Sequence, residues 1–258
     1  MTTAPADATA HPAWRQILNV AGYALVVTVN GLANALPING ITSGAVSDRF
    51  PTFVTPAGYV FAIWGVIYAL LAVFVGWQAL PAQRDDGRLQ RLGIAFAASC
   101  LCNAAWLFAW HHLQIALAWT LIVALLVALI VCYERLRGPV GSRVEWLAVR
   151  LPFSVYLGWV TVATIANTAI LAVDAGIDGG AAAPLGGALA HAAATVVGVL
   201  MLVRRGDLAF ALVLVWAFVG IAVAQADRSR LIVIVAGTAA ALLGAAAAVT
   251  WRRTRIRA

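Results

Sequence analysis

Eight apolar runs, separated by short polar connections, divide the chain. They cover residues 17–36, 58–77, 92–110, 114–133, 151–173, 185–203, 208–225 and 231–251. A helix needs roughly 20 residues to cross the hydrocarbon core of a bilayer, and each run is close to that length. The pattern therefore predicts an all-α integral membrane protein, a polytopic bundle of about eight transmembrane helices in contact with the lipid bilayer.

The composition agrees with this class and excludes others. The chain is 63% hydrophobic and only 10% charged, whereas a soluble protein carries about 25% charged residues. All 17 basic residues are arginine, which excludes a retinal photoreceptor, because that class needs a lysine amine for its Schiff base. The net charge of +7 does not indicate a nucleic-acid partner, since the arginines lie between the apolar runs.

The placement of the arginines predicts the orientation of the chain. Fourteen of the 17 lie in the N-terminal tail, in the second, fourth and sixth connections, and in the C-terminal tail. Basic residues are enriched on the cytoplasmic side of membrane proteins. We therefore expect both termini in the cytoplasm and the protein in a plasma membrane, such as the inner membrane of a bacterium.

The first apolar run has two interpretations. Ala33-Asn34-Ala35 resembles the small-x-small site at which a signal peptide is cleaved, and cleavage there would leave seven spans. Asn30 and Asn34, however, lie four residues apart on one helical face, which is typical of asparagines that hydrogen-bond between membrane helices. We expect a transmembrane helix here, with both asparagines near a ligand site.

A shift in composition near residue 174 divides the chain into residues 1–173 and 174–258. Eight of the ten tryptophans precede this point. The later part is rich in Gly and Ala, and small residues recur there at four-residue spacing, which is typical of closely packed membrane helices: Gly186, Ala190, Ala194 and Gly198. The division predicts a five-helix bundle followed by a three-helix extension.

Few residues could carry out catalysis or ion transport. Every Asp and Glu lies in a connection, in the N-terminal tail or at a helix end, whereas ion-coupled transporters usually need acids inside the membrane. His111-His112 indicates a polar turn at the membrane surface rather than a metal site, and His191 a histidine bonded to a neighbouring carbonyl. The pattern predicts no catalytic residue and no metal ligand.

Aromatic and amide side chains recur through the first five runs instead. Trp64 and Tyr68 lie four residues apart, and therefore on one helical face, just after a segment with Pro51 and Pro56. We expect an apolar aromatic pocket for a flat ligand, oriented by a few amides. The candidate ligand-binding residues are Asn30, Asn34, Phe61, Trp64, Tyr68, Asn103, Trp106, Trp119, Trp159, Ala163 and Asn167.

Tryptophans can also serve as interfacial anchors, and asparagines as polar contacts between packed helices. We assign the anchoring role to the tryptophans at the ends of the runs, which are Trp77, Trp110, Trp146 and Trp251. Trp64 and Trp159 lie inside their runs, beside other polar aromatic groups, and fit a pocket better.

These motifs resemble those of the TspO/translocator-protein family, also called tryptophan-rich sensory proteins. The matching features, in chain order, are the proline-containing loop that leads to Phe61, Trp64 and Tyr68, the pair Asn103–x–x–Trp106, and Tyr156–x–x–Trp159 followed by Ala163 and Asn167. Pro56-Ala57 replaces the two adjacent prolines usual in the family, and Val155 replaces a proline. The resemblance covers residues 17–173.

The resemblance implies a five-helix bundle with a pocket under the first loop for porphyrins, sterol-like molecules or other flat apolar compounds. It implies a membrane receptor, sensor or carrier that needs no cofactor, has a tetrapyrrole-like ligand and could form a homodimer. Two alternatives stay open. The chain could be a small-molecule transporter whose extra helices complete the path, or a membrane enzyme that degrades porphyrin or modifies an isoprenoid.

Overall fold

The computed structural model describes residues 13–36, 38–138 and 141–256. Helices account for most of this part of the chain, and it contains no strand. The all-α prediction is confirmed. The long helices are α1 (Trp14–Ala35), α2 (Ile63–Ala79), α3 (Ala95–His111), α4 (Ile115–Arg135), α5 (Leu151–Asp174), α6 (Ala183–Arg205), α7 (Leu208–Ala224) and α8 (Arg230–Ile256).

Six helical segments of the described chain are long and apolar enough to cross a membrane. They contain α1, α2, α4, α5, α6 and α8, so a multi-pass membrane protein is confirmed. Helices α3 and α7 have 17 residues each, which is the lower limit of about 17–25 residues for a spanning helix. For these two helices, spanning stays a prediction.

Two predicted runs begin differently in the structure. The run at residues 92–110 is interrupted because Gly93 has a φ of +56°, a conformation that glycine adopts without steric cost. Gly93 ends the short helix Gly87–Leu92, and α3 begins at Ala95. The run at residues 58–77 begins with a 3₁₀ turn, Gly58–Ala62, before α2 starts at Ile63.

The helices form one connected bundle. Helix α3 packs against α1 and α4, while α5 packs against α4 and, on another side, against α7. Helix α2 lies between α1 and α5. The last three helices pack mainly on one another, with α8 against both α6 and α7.

Polar side chains tie the start of α1 to the end of α2. The Gln16 amide donates to the Gln78 carbonyl at 2.7 Å, and the Asn19 amide donates to the Gln78 side chain at 3.3 Å. The Arg15 guanidinium donates to the carbonyls of Gln83 and Arg84. Helix α1 is thus held in the bundle by specific hydrogen bonds as well as by apolar packing.

A buried carboxylate joins the three-helix extension to the first five helices. Asp207, which caps α7 through the Phe210 N–H, accepts hydrogen bonds from the Tyr133 hydroxyl at 2.8 Å and the Ser154 hydroxyl at 2.7 Å. These donors belong to α4 and α5. Close packing adds to the contact, because a Cβ on Gly158 would lie 3.2 Å from the Phe210 carbonyl oxygen.

Candidate functional site

Residues 50–62 lead into α2, and we call them the entry segment. Pro51 and Pro56 have no backbone N–H to donate. Other backbone groups of the entry segment form hydrogen bonds to α7. The Ala57 N–H donates to the Gly220 carbonyl at 3.1 Å, and the Trp216 indole donates to the Val60 carbonyl at 3.1 Å. Helix α7 of the extension therefore fixes the segment that delivers Phe61 and Trp64.

Trp64 lies at the centre of a cluster of aromatic rings from α2, α3 and α5. Its ring is stacked on Tyr68, with 5.7 Å between centroids, and on Trp106, at 5.9 Å. The rings of Tyr156 and Trp159 meet it edge to face, each at 6.1 Å. Offset and edge-to-face contacts of this kind stabilise aromatic clusters beyond the burial of their area.

Two further rings extend this aromatic cluster. Phe61 meets Trp159 edge to face at 5.9 Å, and Trp110 stacks on Trp106 at 5.9 Å. We keep the name aromatic cluster for the whole set, which is Phe61, Trp64, Tyr68, Trp106, Trp110, Tyr156 and Trp159.

A cavity of about 260 Å³ lies beside the aromatic cluster. It is lined by Phe61, Trp64, Tyr68 and Trp106, together with Asn30 and the residues Thr42–Ser43–Gly44 of the first connection. A smaller cavity of about 30 Å³ shares Ser43, Phe61, Trp64 and Trp106 with it and is also lined by Trp110, Trp159, Ala163 and Asn167. The rings therefore separate two adjoining spaces.

The amides near the aromatic cluster form hydrogen bonds within the protein. The Asn30 amide donates to the Asn103 side-chain oxygen at 2.9 Å, and the Asn103 amide donates to the Tyr156 hydroxyl at 2.9 Å. Helices α1, α3 and α5 are joined in this way. Asn167 accepts from the Trp106 indole at 3.3 Å and donates to the Ala163 carbonyl at 2.9 Å. These side chains hold the walls of the site in place.

Two buried polar atoms in this region have no hydrogen-bond partner among the described residues. They are the Trp159 indole Nε1 and the Tyr68 hydroxyl. The hydroxyl interacts electrostatically with Asn103 but makes no well-formed hydrogen bond to it. A buried donor without a partner costs about 1–3 kcal/mol. Since Trp159 and Tyr68 line the two cavities, a bound molecule with an acceptor group could supply the missing partners.

The first connection, between α1 and the entry segment, is hydrogen-bonded to the end of α3 and lies over the aromatic cluster. The Trp110 indole donates to the Ser43 carbonyl at 3.2 Å, and His111 Nε2 lies 3.3 Å from the Ser43 hydroxyl. The other ring nitrogen of His111 lies 2.8 Å from the Leu107 carbonyl. A carbonyl can only accept, so Nδ1 carries the proton, and in the neutral ring Nε2 accepts from the Ser43 hydroxyl. The short helix Ser43–Asp48 is thereby anchored over the cavities.

The structure brings most of the predicted ligand-binding residues together, with two exceptions. Trp119 is outside the aromatic cluster and both cavities, and its indole donates to the Thr168 hydroxyl at 2.9 Å on the outside of α5. Asn34 lies in α1, but its side chain is outside the described residues. The remaining candidates are in the aromatic cluster, bonded to it or in the walls of its two cavities.

Sequence reasoning missed three residues. Trp110 is only 4% exposed, so the prediction that it is an interfacial anchor is wrong. His111 is fully buried, so it is not part of a surface turn. Tyr156, whose hydroxyl accepts from the Asn103 amide, is part of the Tyr156–x–x–Trp159 motif but is not among the candidate ligand-binding residues. Trp110 lies four residues after Trp106, and this spacing was the available signal.

Comparison with known proteins identifies the family. The model of the TSPO-like protein family matches residues 16–249. The chain belongs to the TSPO-like protein family. The match extends through α6, α7 and part of α8, so the family model covers most of the extension of this TSPO-like chain. The searches of curated proteins and of solved structures found no match.

The site of the TSPO-like chain combines flat apolar surfaces with a few buried polar atoms. The aromatic cluster offers flat apolar surfaces, and Trp159 and Tyr68 offer unpartnered polar atoms. Within the described ranges, no group of three or more His, Cys, Asp or Glu side chains is placed to hold a metal ion.

Proposed function

We propose that this protein is a membrane receptor or sensor that binds a flat apolar ligand of the tetrapyrrole type against the aromatic cluster. The observation that carries the proposal is the position of Trp64, which contacts four other rings beside a 260 Å³ cavity. Stacking on such rings contributes about 0.5–1.5 kcal/mol for each contact beyond area burial.

The polar atoms favour a ligand that carries acceptor groups. The Trp159 indole can only donate, so it needs a carbonyl or carboxylate oxygen. Tetrapyrroles with carboxylate side chains combine such an oxygen with a flat apolar ring system. The indole N–H would select these molecules over a plain hydrocarbon of the same shape.

The size of the cavity indicates that binding requires movement. Ligand pockets usually have about 300–1,000 Å³, and this cavity has about 260 Å³. The entry segment is the part of the wall that can be displaced without unwinding a long helix, and its bonds to Gly220 and Trp216 hold it closed. A large flat ligand enters when this segment moves away from α7 or when Trp64 turns.

Protoporphyrin titration of the purified protein tests the proposal. Trp64→Leu should weaken binding about ten-fold or more, because it removes a stacking surface and buried area. Trp64→Phe and Trp159→Phe should be milder, and Trp159→Phe should act through the lost N–H donor. The matched control is Trp251→Phe, since Trp251 is 47% exposed on α8 and should leave affinity unchanged.

The readout is the absorbance change of the porphyrin, because fluorescence quenching falls whenever a tryptophan is removed. A thermal melt of each variant confirms that it is folded. Equal affinities for the parent and for all the variants would show that the aromatic cluster is only packing and would end the proposal.

Transport and turnover are the competing functions, and the same protein separates them. Porphyrin incubated with the protein in light and in darkness reports degradation, and uptake into proteoliposomes reports transport. Binding without loss of porphyrin and without uptake supports a receptor or sensor.

We also infer that both termini lie in the cytoplasm, from the uneven distribution of the 17 arginines. A C-terminal alkaline phosphatase fusion should be inactive in the cytoplasm, and a fluorescent reporter at the same place should be bright. An active phosphatase would reverse the assigned orientation.

A further inference from the structure

A third cavity, of about 420 Å³, lies between the extension and the first five helices. Its walls are the second half of α5, the first half of α6, residues 51–54 of the entry segment, and residues 177–179 of the α5–α6 connection, which include Asp178. None of the candidate ligand-binding residues lines it. Its volume falls within the range of about 300–1,000 Å³ that is usual for small-molecule sites.

The extension builds this cavity. A Cβ on Gly187 would lie 2.7 Å from the Phe53 Cβ, so only glycine lets the entry segment pack this closely against α6. The Gln225 amide donates to the Thr52 carbonyl at 3.1 Å, and the Arg228 guanidinium lies 5.4 Å from the centre of the Phe53 ring. Residues of the turn between α7 and α8 therefore hold residues 51–54 in position.

The small residues of α6 have two different roles. Near the end of the helix they allow close packing, because a Cβ on Gly198 would lie 2.9 Å from Leu243. Near its start they leave space, since a Cβ on Gly186 would meet no atom within 4 Å, and both Gly186 and Ala190 line the cavity. Small side chains at this end create volume instead of a helix contact.

A buried histidine supplies a polar group next to the cavity. His191 is only 2% exposed and packs against Phe218, with 5.2 Å between ring centroids. It lines a space of about 10 Å³, whose walls share Val54, Ile165 and Ala190 with the large cavity. The two spaces are therefore neighbours.

The hydrogen bonding of His191 defines which partner it needs. His191 Nδ1 lies 2.7 Å from the Gly187 carbonyl oxygen, as expected for a histidine bonded to a neighbouring carbonyl. A carbonyl can only accept, so Nδ1 carries the proton, and in the neutral ring Nε2 is an acceptor. Nε2 is buried and has no partner among the described residues. The missing partner is a donor, such as a hydroxyl group.

We infer that this cavity and the adjoining 10 Å³ space together form a second binding site, specific for an apolar molecule with a hydroxyl head group that enters the small space and donates its O–H to His191 Nε2. The apolar walls receive the hydrocarbon body, and the histidine fixes one end. This site is separate from the aromatic cluster, and the inference does not depend on the proposed receptor function.

Photolabelling in nanodiscs tests the inference with an aliphatic alcohol that carries a diazirine. The label should be found on peptides from the second half of α5 and the first half of α6. Two isomeric competitors, decan-1-ol and methyl nonyl ether, differ in one property: only the alcohol can donate a hydrogen bond. Decan-1-ol should compete about ten-fold better, as expected for a buried acceptor that gains its partner.

Two variants locate the effect. Gly186→Leu should abolish labelling because it adds a bulky side chain at the cavity wall, where a Cβ meets no atom within 4 Å, and Gly244→Leu on α8 is the matched control, since its Cβ also meets no atom within 4 Å. His191→Phe keeps an aromatic ring beside Phe218 and should make the alcohol and the ether compete equally. A thermal melt of each variant shows whether all three are folded, independently of any ligand.

Three results would overturn the inference. The first is equal competition by the two isomers in the parent protein, a comparison that needs no variant. The second is labelling that Gly186→Leu leaves unchanged. The third is labelling spread evenly over the lipid-facing helices, which would mean that the cavity holds only water or lipid tails.

Discussion

The first five helices and the three-helix extension bury their surfaces by different means. In the first region, rings and amides fill the interior, as Trp64 with its four ring neighbours and the chain from Asn30 to Tyr156 illustrate. In the extension, glycine and alanine bring helices together, as at Gly198 beside Leu243. Large rigid rings leave gaps and unpartnered donors, whereas small residues bring backbones close.

The two regions are nevertheless interdependent at the site. Helix α7 holds the entry segment through Gly220 and Trp216, and Asp207 binds side chains of α4 and α5. The extension therefore acts on the aromatic cluster although none of its residues lines the two cavities there. Substitutions at the contacts between the regions show how far each depends on the other.

The largest effect is expected for Gly220→Ala. The added Cβ would overlap Val60 Cγ2, and Val60 is fully buried, so Val60 and the entry segment around it must shift relative to α7. We expect a loss of about 3 kcal/mol in the free energy of unfolding, measured by SDS titration in mixed micelles.

Gly237→Ala is the control for this variant, because its Cβ meets no atom within 4 Å. Gly220→Ala should also bind protoporphyrin faster than the parent protein, because the displaced entry segment covers the aromatic cluster less tightly. Unchanged stability and unchanged binding kinetics in Gly220→Ala would show that α7 does not hold the entry segment.

A smaller effect is expected for Asp207→Ala. The substitution leaves the buried hydroxyls of Tyr133 and Ser154 without their acceptor and removes the cap of α7. We expect a loss of about 2 kcal/mol in the same titration. Asp207→Asn keeps one acceptor oxygen and should recover part of the lost free energy of unfolding.

Asp227→Ala serves as the comparison for Asp207→Ala, because Asp227 is exposed. If the two alanine variants were equally stable, the polar contact between the regions would contribute nothing, and apolar packing alone would join them.

The smallest effect is expected for Arg205→Gln, at the surface of the same boundary. The Arg205 guanidinium lies 2.9 Å from the Glu134 carboxylate, and their side chains are 29% and 42% exposed. Solvent screens such a pair, so the change should stay below about 1 kcal/mol. A double-mutant cycle with Glu134→Gln measures the coupling energy between the two side chains. A coupling as large as the Asp207 effect would show that surface charge, not the buried network, joins the regions.

Much of the fold was readable from the sequence. The apolar runs predicted the membrane helices, and the four-residue spacing of Trp64 and Tyr68 placed them on one face, where they are stacked in the structure. Both inferences depend on local regularities, namely helix length and helix periodicity. The TSPO-like family could be recognised for the same reason, because its motifs are short and lie within single helices.

Which neighbour each face meets was decided only by the tertiary structure. Trp119 and Trp159 both lie inside apolar runs. Trp119, on α4, bonds to Thr168 at the exposed edge of the α4–α5 contact, whereas Trp159 belongs to the aromatic cluster. The four-residue ridge on α6 likewise splits into a packing contact at Gly198 and a cavity wall at Gly186. In a membrane, lipid-facing and bundle-facing positions are equally apolar, so hydrophobic pattern identifies a helix without showing which of its sides is buried.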